Sequence, residues 1–118
     1  MEEKKSPKEI ILEQTSKEYF QAGNEELGKN RNNSAVVLFF KSLVSLIDLY
    51  VYKKTGKTPS SHNDRFSITR NSFPHVYKIL DKNFPFYQDS YNILMSKELA
   101  EVIKEDAESM AEKTKVGL

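Results

Sequence analysis

The sequence predicts an all-α protein, an antiparallel up-and-down bundle of four to five helices in a single domain spanning residues 1–118. Apolar residues recur at spacings of three and four along several segments, and helix-capping residues bound those segments. No segment shows the strict alternation of a half-buried strand, and nothing repeats at a fixed period. A chain of 118 residues has the size of one domain.

The first helix is predicted to begin at the capping box of residues 6–9. Ser6 can accept from the third amide of the helix while Glu9 reaches back, and Pro7 suits the first helical position. One stripe then follows at helical spacing, with small residues where a neighbouring helix could approach closely: Ile11, Leu12, Ser16, Tyr19, Phe20, Gly23 and Leu27. Gly28 and the polar residues 29–33 end this helix.

The second helix is predicted to be central, because it is apolar on nearly every face. Asn32 or Asn33 can cap its start, it runs to about Thr55, and Gly56 can take the left-handed C-terminal conformation. A pair of buried strands is the alternative, but no turn residue interrupts this run of about 20 residues, which is too long for one strand.

Residues 35–52 are also the only candidate membrane span. Lys41 and Asp48 lie inside that span, and each would cost roughly 2.5 to 3.5 kcal/mol at a bilayer centre. We therefore interpret the segment as a core helix and expect no membrane association.

The remaining helices are shorter. Residues 56–63 have a loop composition, and Asn63 or Asp64 is expected to cap a helix over 64–70. Ser72 is expected to cap the next helix, which has Pro74 in its first turn and ends near residue 83, before Pro85. Ser96 can cap the last helix, in which an apolar face opposes a glutamate face, and the final few residues are expected to fray.

Charge is unevenly distributed along the chain. The totals are 18 Lys and Arg against 17 Asp and Glu, a net charge of +1. Residues 31–82 carry 9 basic and 3 acidic side chains, whereas residues 1–30 and 83–118 are both acidic. A basic patch that attracts phosphate is therefore expected around the loop after the second helix, formed by Lys53, Lys54, Lys57, Arg65, Arg70, Lys78 and Lys82. The alternative for Lys53 and Lys54 is that they only complement the helix dipole.

Several functional classes are excluded by composition. With no cysteine, the chain has no disulfide framework, no Cys-ligated metal and no thiol nucleophile. Two histidines make a multi-histidine metal site improbable, and glycine-rich phosphate loops and other short catalytic motifs are absent. We expect neither a metal nor a cofactor. The N-terminal region has no apolar secretory segment, so a cytoplasmic location is expected.

The order of elements resembles a known family. Residues 35–48 (AVVLFFKSLVSLID), residues 52–59 (YKKTGKTP) and residues 61–66 (SHNDRF) resemble the HEPN family (higher eukaryotes and prokaryotes nucleotide-binding domain). In that family an acidic residue lies in the second long helix, a Gly-x-x-Pro-like connection follows, and a Ser/Thr-His pair opens the next helix. Residues 15–112 can be aligned with this pattern.

The resemblance implies an antiparallel helical bundle, commonly a homodimer. Members are RNA-cleaving toxins that need no metal, partners of small nucleotidyltransferases in two-gene modules, or nucleotide- and partner-binding domains. Catalytic members carry Arg-x(4 to 6)-His, a pattern that Arg70 and His75 satisfy. In such a site Arg70 would stabilise the phosphorane and His75 would move the proton of the ribose 2′-hydroxyl. On a continuous helix residues five apart diverge by about 140°, and Pro74 interrupts the segment between them.

Three other features admit two interpretations. Asp48 in an apolar helix needs a partner, for which Arg65 or a hydroxyl is the candidate, and pairing is favoured over catalysis. His62 contacts a nucleotide or is an ordinary loop histidine. The aromatic residues near the basic segment either pack in the core or a dimer interface, which is favoured, or bind single-stranded RNA: Phe73, Tyr77, Phe84, Phe86, Tyr87 and Tyr91.

Taken together, the sequence favours a cytoplasmic, HEPN-like nucleotide- or RNA-associated module that partners a nucleotidyltransferase. Its expected phosphate-binding residues are Lys53, Lys54, Lys57, His62, Arg65 and Arg70. A metal-independent endoribonuclease that uses Arg70 and His75 is one alternative. A non-catalytic helical interaction domain is the other.

Overall fold

The computed structural model describes residues 4–118, which form five α-helices and no strand. The helices are α1 (Pro7–Gly28), α2 (Asn32–Thr55), α3 (His62–Ser72), α4 (Pro74–Asp89) and α5 (Lys97–Thr114). The all-helical class predicted from sequence is therefore confirmed.

Side-chain contacts give the directions of the four longer helices. Ser42 donates to the carbonyl of Ser16, and Phe39 contacts Phe20, so α1 and α2 are antiparallel. Phe40 stacks on Tyr87 near the end of α4, and Tyr50 contacts His75 at its start, so α2 and α4 are also antiparallel. By contrast, the start of α2 bonds to Met95 just before α5, and Lys53 bonds to Thr114 at the end of α5. Helices α2 and α5 thus run parallel and end at the same end of the bundle.

Helix α2 lies at the centre, as its composition predicts. It packs against α1, α4 and α5, and most of its buried apolar side chains belong to one cluster with residues from those helices. Phe39, Leu43, Leu46, Ile47 and Leu49 are fully buried. Within residues 4–118 it is also the one helix long and apolar enough to cross a membrane, and 61% of its most apolar window is buried inside the bundle. The core-helix interpretation therefore fits the structure.

The predicted caps are confirmed at three helix ends. Ser6 accepts from the Glu9 amide at 3.2 Å, and Ser96 accepts from the Leu99 amide at 3.1 Å. Gly56 ends α2 with φ 79°, a left-handed conformation that glycine adopts without a Cβ penalty.

The predicted asparagine cap of α2 is wrong. Both asparagines lie inside the helix, and Arg31 occupies the capping position without a side-chain bond. The Asn33 side chain instead binds the α4–α5 connection: it donates to the carbonyls of Ser90 and Ile93 and accepts from the Met95 amide at 2.9 Å. These partners lie about 60 residues away in the chain, so no local pattern could reveal them.

Two boundaries of the short helices also differ from expectation. Helix α3 begins at His62, and Ser61 caps it by accepting from the Asp64 amide, whereas we expected Asn63 or Asp64. Ser72 is the last residue of α3 and does not cap α4. Phe73 alone separates the two helices, and its φ of −137° and ψ of 67° lie outside the α region that proline disfavours for the residue before it.

Helix α4 continues through Pro85 to Asp89 and does not end near residue 83. Pro85 is exposed, so water can satisfy the carbonyl of Asp81 that the proline cannot bond. Asn83 is fully buried and donates to Asp106 at 2.7 Å, which holds this part of α4 against α5.

Of the residues that follow α5, Val116 packs onto the bundle. Lys115 ends α5 in a left-handed conformation with φ 61°. The next residue, Val116, is only 8% exposed, and its amide donates to the Ala111 carbonyl at 2.9 Å. This bond satisfies a carbonyl that the helix end would otherwise leave unpaired.

The close approach of α1 to α2 generates a stability prediction. A Cβ at Gly23 would lie 2.7 Å from the buried ring of Phe39, whereas a Cβ at Gly28 would meet no atom within 4 Å. Helix propensity favours alanine at both sites by up to about 1 kcal/mol, but overpacking typically costs 1 to 3 kcal/mol. Gly23→Ala should therefore lower the free energy of unfolding by about 1 to 2 kcal/mol in urea denaturation, and Gly28→Ala should not. Equal stability of the two variants would contradict this packing.

Candidate functional site

An ion pair between α2 and α3 forms the base of the candidate site. The Arg65 guanidinium donates from Nε to Asp48 Oδ1 at 2.7 Å and from Nη2 to Oδ2 at 2.9 Å. The two side chains are only 10% and 14% exposed. Bidentate geometry of this kind is the strongest form of an arginine–carboxylate pair. Arg65, one of the two predicted partners of Asp48, is thus observed in that role. The charge of Arg65 is balanced by this carboxylate.

His62 extends the pair toward solvent. Arg65 Nη1 lies 3.0 Å from His62 Nδ1, and because a guanidinium can only donate, Nδ1 accepts. The neutral imidazole therefore carries its proton on Nε2. His62 is exposed, and its ring lies 5.6 Å from that of Phe84. The Nε2–H is a donor with a defined tautomer.

The loop before α3 holds His62 in place. The Asp64 carboxylate accepts from the Ser60 amide at 2.8 Å and from the Ser60 hydroxyl at 3.1 Å, while Ser61 accepts from the Asp64 amide. This reciprocal capping fixes the entry of the chain into α3. The first helical residue, His62, is consequently well positioned.

These residues border a cleft of about 410 Å³ between α1, α2, the start of α3 and the end of α4. It is lined by Tyr19, Phe40, Lys41, Val44, Ser45, Ser61, His62, Arg65 and Tyr87. Lys41 Nζ lies 5.9 Å from the centre of the Tyr19 ring. On the other side, Tyr87 stacks on Phe40 with ring centres 4.6 Å apart. The cleft therefore combines aromatic walls with cationic and neutral donors.

Electrostatics within the cleft favour one anionic group. Asp48 balances the charge of Arg65, whereas no carboxylate of residues 4–118 lies within 4 Å of Lys41 Nζ. Burial, then the Arg65 guanidinium, lower the pKa of His62 below its usual 6.5, and the Asp48 carboxylate partly offsets this. The hydrogen bond with Tyr91, together with burial, raises the pKa of Tyr87, so its phenol stays protonated. Lys41 supplies the net positive charge.

The sequence-predicted phosphate-binding residues do not form one patch. His62 and Arg65 lie at the cleft, whereas Lys53 and Lys54 lie at the end of α2, beside Lys113 and Lys115 at the end of α5. We call the surface formed by these four lysines the lysine groove. Lys57 is exposed in the loop after α2 and lines neither feature.

The proposed catalytic pair lies outside the cleft. Arg70 is exposed in the last turn of α3, and His75 is exposed in the first turn of α4, with the Phe73 break between them. His75 Nε2 is 3.2 Å from the Tyr50 hydroxyl. Neither residue lines the 410 Å³ cleft.

The sequence patterns do not identify Tyr19 and Lys41 as residues of the cleft. From the sequence, Tyr19 belongs to an apolar stripe of α1, and Lys41 is a charge that disfavours membrane insertion. A signal was present: Lys41, Ser45 and Asp48 are spaced by four and three and so share one face of an otherwise apolar helix. That polar stripe forms the α2 side of the site.

The clustered aromatic residues pack against one another, as favoured from sequence. Phe84 contacts the rings of Phe40, Phe66 and Tyr87, and Phe73 contacts Tyr50 edge-on at 5.3 Å. Tyr87 packs on Phe40 and also lines the cleft.

Comparison with known proteins found no matching family model, no matching curated protein and no matching solved structure. The residues of the site therefore provide the evidence on which a function can be proposed. Within residues 4–118, no group of three or more His, Asp or Glu side chains is arranged to hold a metal ion.

Breaking the ion pair should destabilise the fold. Asp48→Asn leaves a nearly buried guanidinium without its counter-charge, which typically costs 3 to 5 kcal/mol. We expect a loss of about 3 kcal/mol in the free energy of unfolding, measured in urea. The matched control is Lys82→Gln in the Lys82–Asp106 pair, where Lys82 is 51% exposed and the expected loss is under about 1 kcal/mol. Equal losses in the two variants would contradict the role of the Asp48–Arg65 pair.

The lowered pKa of His62 gives a pH prediction. Its imidazole resonances, assigned by their absence in His62→Gln, should titrate in NMR with a midpoint below 6.5. Since the unfolded chain then binds a proton more readily than the folded chain, this histidine makes stability fall as pH falls below about 6.5. His62→Gln should show a weaker loss of stability on acidification. A midpoint at or above 6.5 would refute the proposed Arg65–His62 geometry.

Proposed function

We propose that the chain is a HEPN-like nucleotide- or RNA-associated module that binds one nucleotide in the cleft. The observation that carries this proposal is the presence of Lys41 and the His62 Nε2–H between aromatic side chains in a single cleft. Phosphate takes charged and neutral hydrogen bonds from such donors, and bases of single-stranded nucleic acid stack on tyrosine.

The balance of charge supports a nucleotide with a single phosphate. Arg65 is paired with Asp48, so Lys41 is the cleft cation without a carboxylate partner. A single excess positive charge matches one phosphodiester and neutralises part of the charge of one phosphate monoester. The Ser61 hydroxyl adds a neutral donor for ribose or base.

We further propose that the module acts in the cytoplasm as a homodimer and as the partner of a small nucleotidyltransferase. Exposed apolar side chains support association, since Tyr91, Ile93 and Leu94 are 71%, 56% and 94% exposed in the α4–α5 connection. Light scattering that gives the mass of a single chain at all concentrations would contradict the homodimer. Failure to co-purify with the product of a neighbouring nucleotidyltransferase gene would contradict the second partner.

The binding proposal predicts the behaviour of two variants. With AMP or a short single-stranded RNA as ligand, Tyr87→Leu and Lys41→Gln should each weaken binding by about fivefold or more, because each loses a stacking or phosphate contact. Isothermal titration calorimetry measures the affinity. Lys97→Gln, which makes the same charge change outside the cleft, is the control and should bind normally.

NMR gives an independent check of the site. A phosphate bound beside His62 favours the imidazolium, so ligand should raise the pKa of His62. Cleft resonances that do not respond to AMP or RNA would refute nucleotide binding here. RNA cleavage in EDTA that His75→Ala abolishes would instead favour the endoribonuclease alternative.

A further inference from the structure

The lysine groove is a second polar surface, outside the cleft. Its side chains come from two helices that run parallel and end together, α2 and α5. A depression of about 210 Å³ is lined there by Tyr50, Lys53, Lys54, Lys113, Thr114 and Lys115. Lys54 Nζ lies 5.5 Å from the centre of the Tyr50 ring, whose hydroxyl contacts His75. The groove therefore joins four cations with an aromatic ring.

The four lysines carry more positive charge than is needed to complement the dipoles of α2 and α5. The C-terminal ends of α2 and α5 each carry roughly half a negative charge, whereas the groove holds four lysines. Lys53 alone serves the end of α5, since its Nζ donates to the Thr114 carbonyl at 2.7 Å. Within residues 4–118, no carboxylate lies within 4 Å of Nζ of Lys54, Lys113 or Lys115. An excess of roughly three positive charges is left for a ligand.

The basic surface continues beyond the groove. Lys53 also lines an adjoining depression of about 530 Å³ at the start of α1, together with Lys4, Lys5, Glu9, Tyr52 and Gly56. Lys5 is paired with Glu13 at 2.9 Å, so Lys4 and Lys53 supply the positive charge of this depression. Two depressions that share one lysine make an elongated surface. An elongated surface on which lysines predominate suits a chain of phosphates better than a single compact anion.

We propose that the lysine groove binds the phosphodiester backbone of single-stranded RNA. Lysines act as point charges for successive phosphates, and Tyr50 and Tyr52 offer rings beside them, a combination typical of single-strand binding. The large apolar side chains that residues 4–118 expose do not line either depression, so the surface lacks what membrane insertion needs. The inference rests on the proposed function in taking nucleic acid as the ligand class, but it uses other residues.

A triple variant tests the groove. Lys54→Gln, Lys113→Gln and Lys115→Asn remove three charges and leave Lys53 to hold the end of α5. Asparagine is chosen at position 115 because it tolerates the left-handed φ of 61°. The matched control replaces Lys29, Lys78 and Lys97 by glutamine, which changes the net charge equally at exposed sites outside both depressions and the cleft. Thermal melting followed by circular dichroism confirms that both variants are folded.

The measurement is fluorescence anisotropy with a labelled oligouridylate of roughly a dozen nucleotides, over a series of salt concentrations. At about 0.1 M salt the groove variant should bind on the order of 100-fold more weakly, and its log–log salt slope should fall by about 2. The control should change by less than about threefold. Equal weakening in both variants, or no weakening in the groove variant, would overturn the proposal.

Competing ligands and cleft variants complete the design. Tighter binding of polyglutamate or of phosphatidylserine vesicles than of oligouridylate would also overturn the RNA assignment.

If AMP still binds the cleft while the groove variant keeps its RNA affinity, the groove proposal fails and the proposed function stands. If Lys41→Gln and Tyr87→Leu change nothing while the groove variant loses RNA, the cleft fails and the groove stands.

Discussion

The Asp48–Arg65 ion pair is the interaction on which the candidate site depends. Helix α3 packs mainly on α4, so this bidentate pair is what ties α3 to the central helix. A carboxylate in an apolar helix cannot remain unpaired, because its desolvation would cost more than the helix gains by packing. Forming the pair brings the start of α3 against α2, and His62 reaches the cleft for that reason.

The same pair sets the electrostatics of the cleft. Because Asp48 balances its charge, Arg65 does not offer a ligand a full positive charge, but its Nη1 donates to His62 Nδ1 and so fixes the tautomer of that ring. Burial, and then the Arg65 guanidinium, lower the pKa of the imidazole. The histidine is consequently a neutral hydrogen-bond donor at neutral pH, and Lys41 supplies the charge. A structural interaction thus determines which groups in the cleft can recognise an anion and which cannot.

Sequence patterns predicted the features of the fold that depend on neighbouring residues in the chain. The caps at Ser6 and Ser96, the left-handed Gly56 and the central position of α2 follow from neighbouring residues, and the demand of Asp48 for a partner follows from its apolar helix. The role of Asn33 and the passage of α4 through Pro85 were not predictable, because contacts about 60 residues away and solvent exposure decide them. The cleft likewise needed the packing of four helices, although the polar stripe on α2 marked one of its sides.

Charge shows most clearly what folding adds to the sequence. Along the chain, the basic residues are concentrated in residues 31–82, and residues 83–118 carry net negative charge. In space, Lys41 and Arg65 of the basic segment line the cleft and Lys53 and Lys54 lie at the end of α2, where Lys113 and Lys115 from the acidic segment complete the lysine groove. This occurs because α5 runs parallel to α2, which brings the lysines near its C-terminus beside Lys53 and Lys54. The direction of α5 therefore decides whether these four lysines lie side by side. Counting charges along the sequence does not reveal that direction.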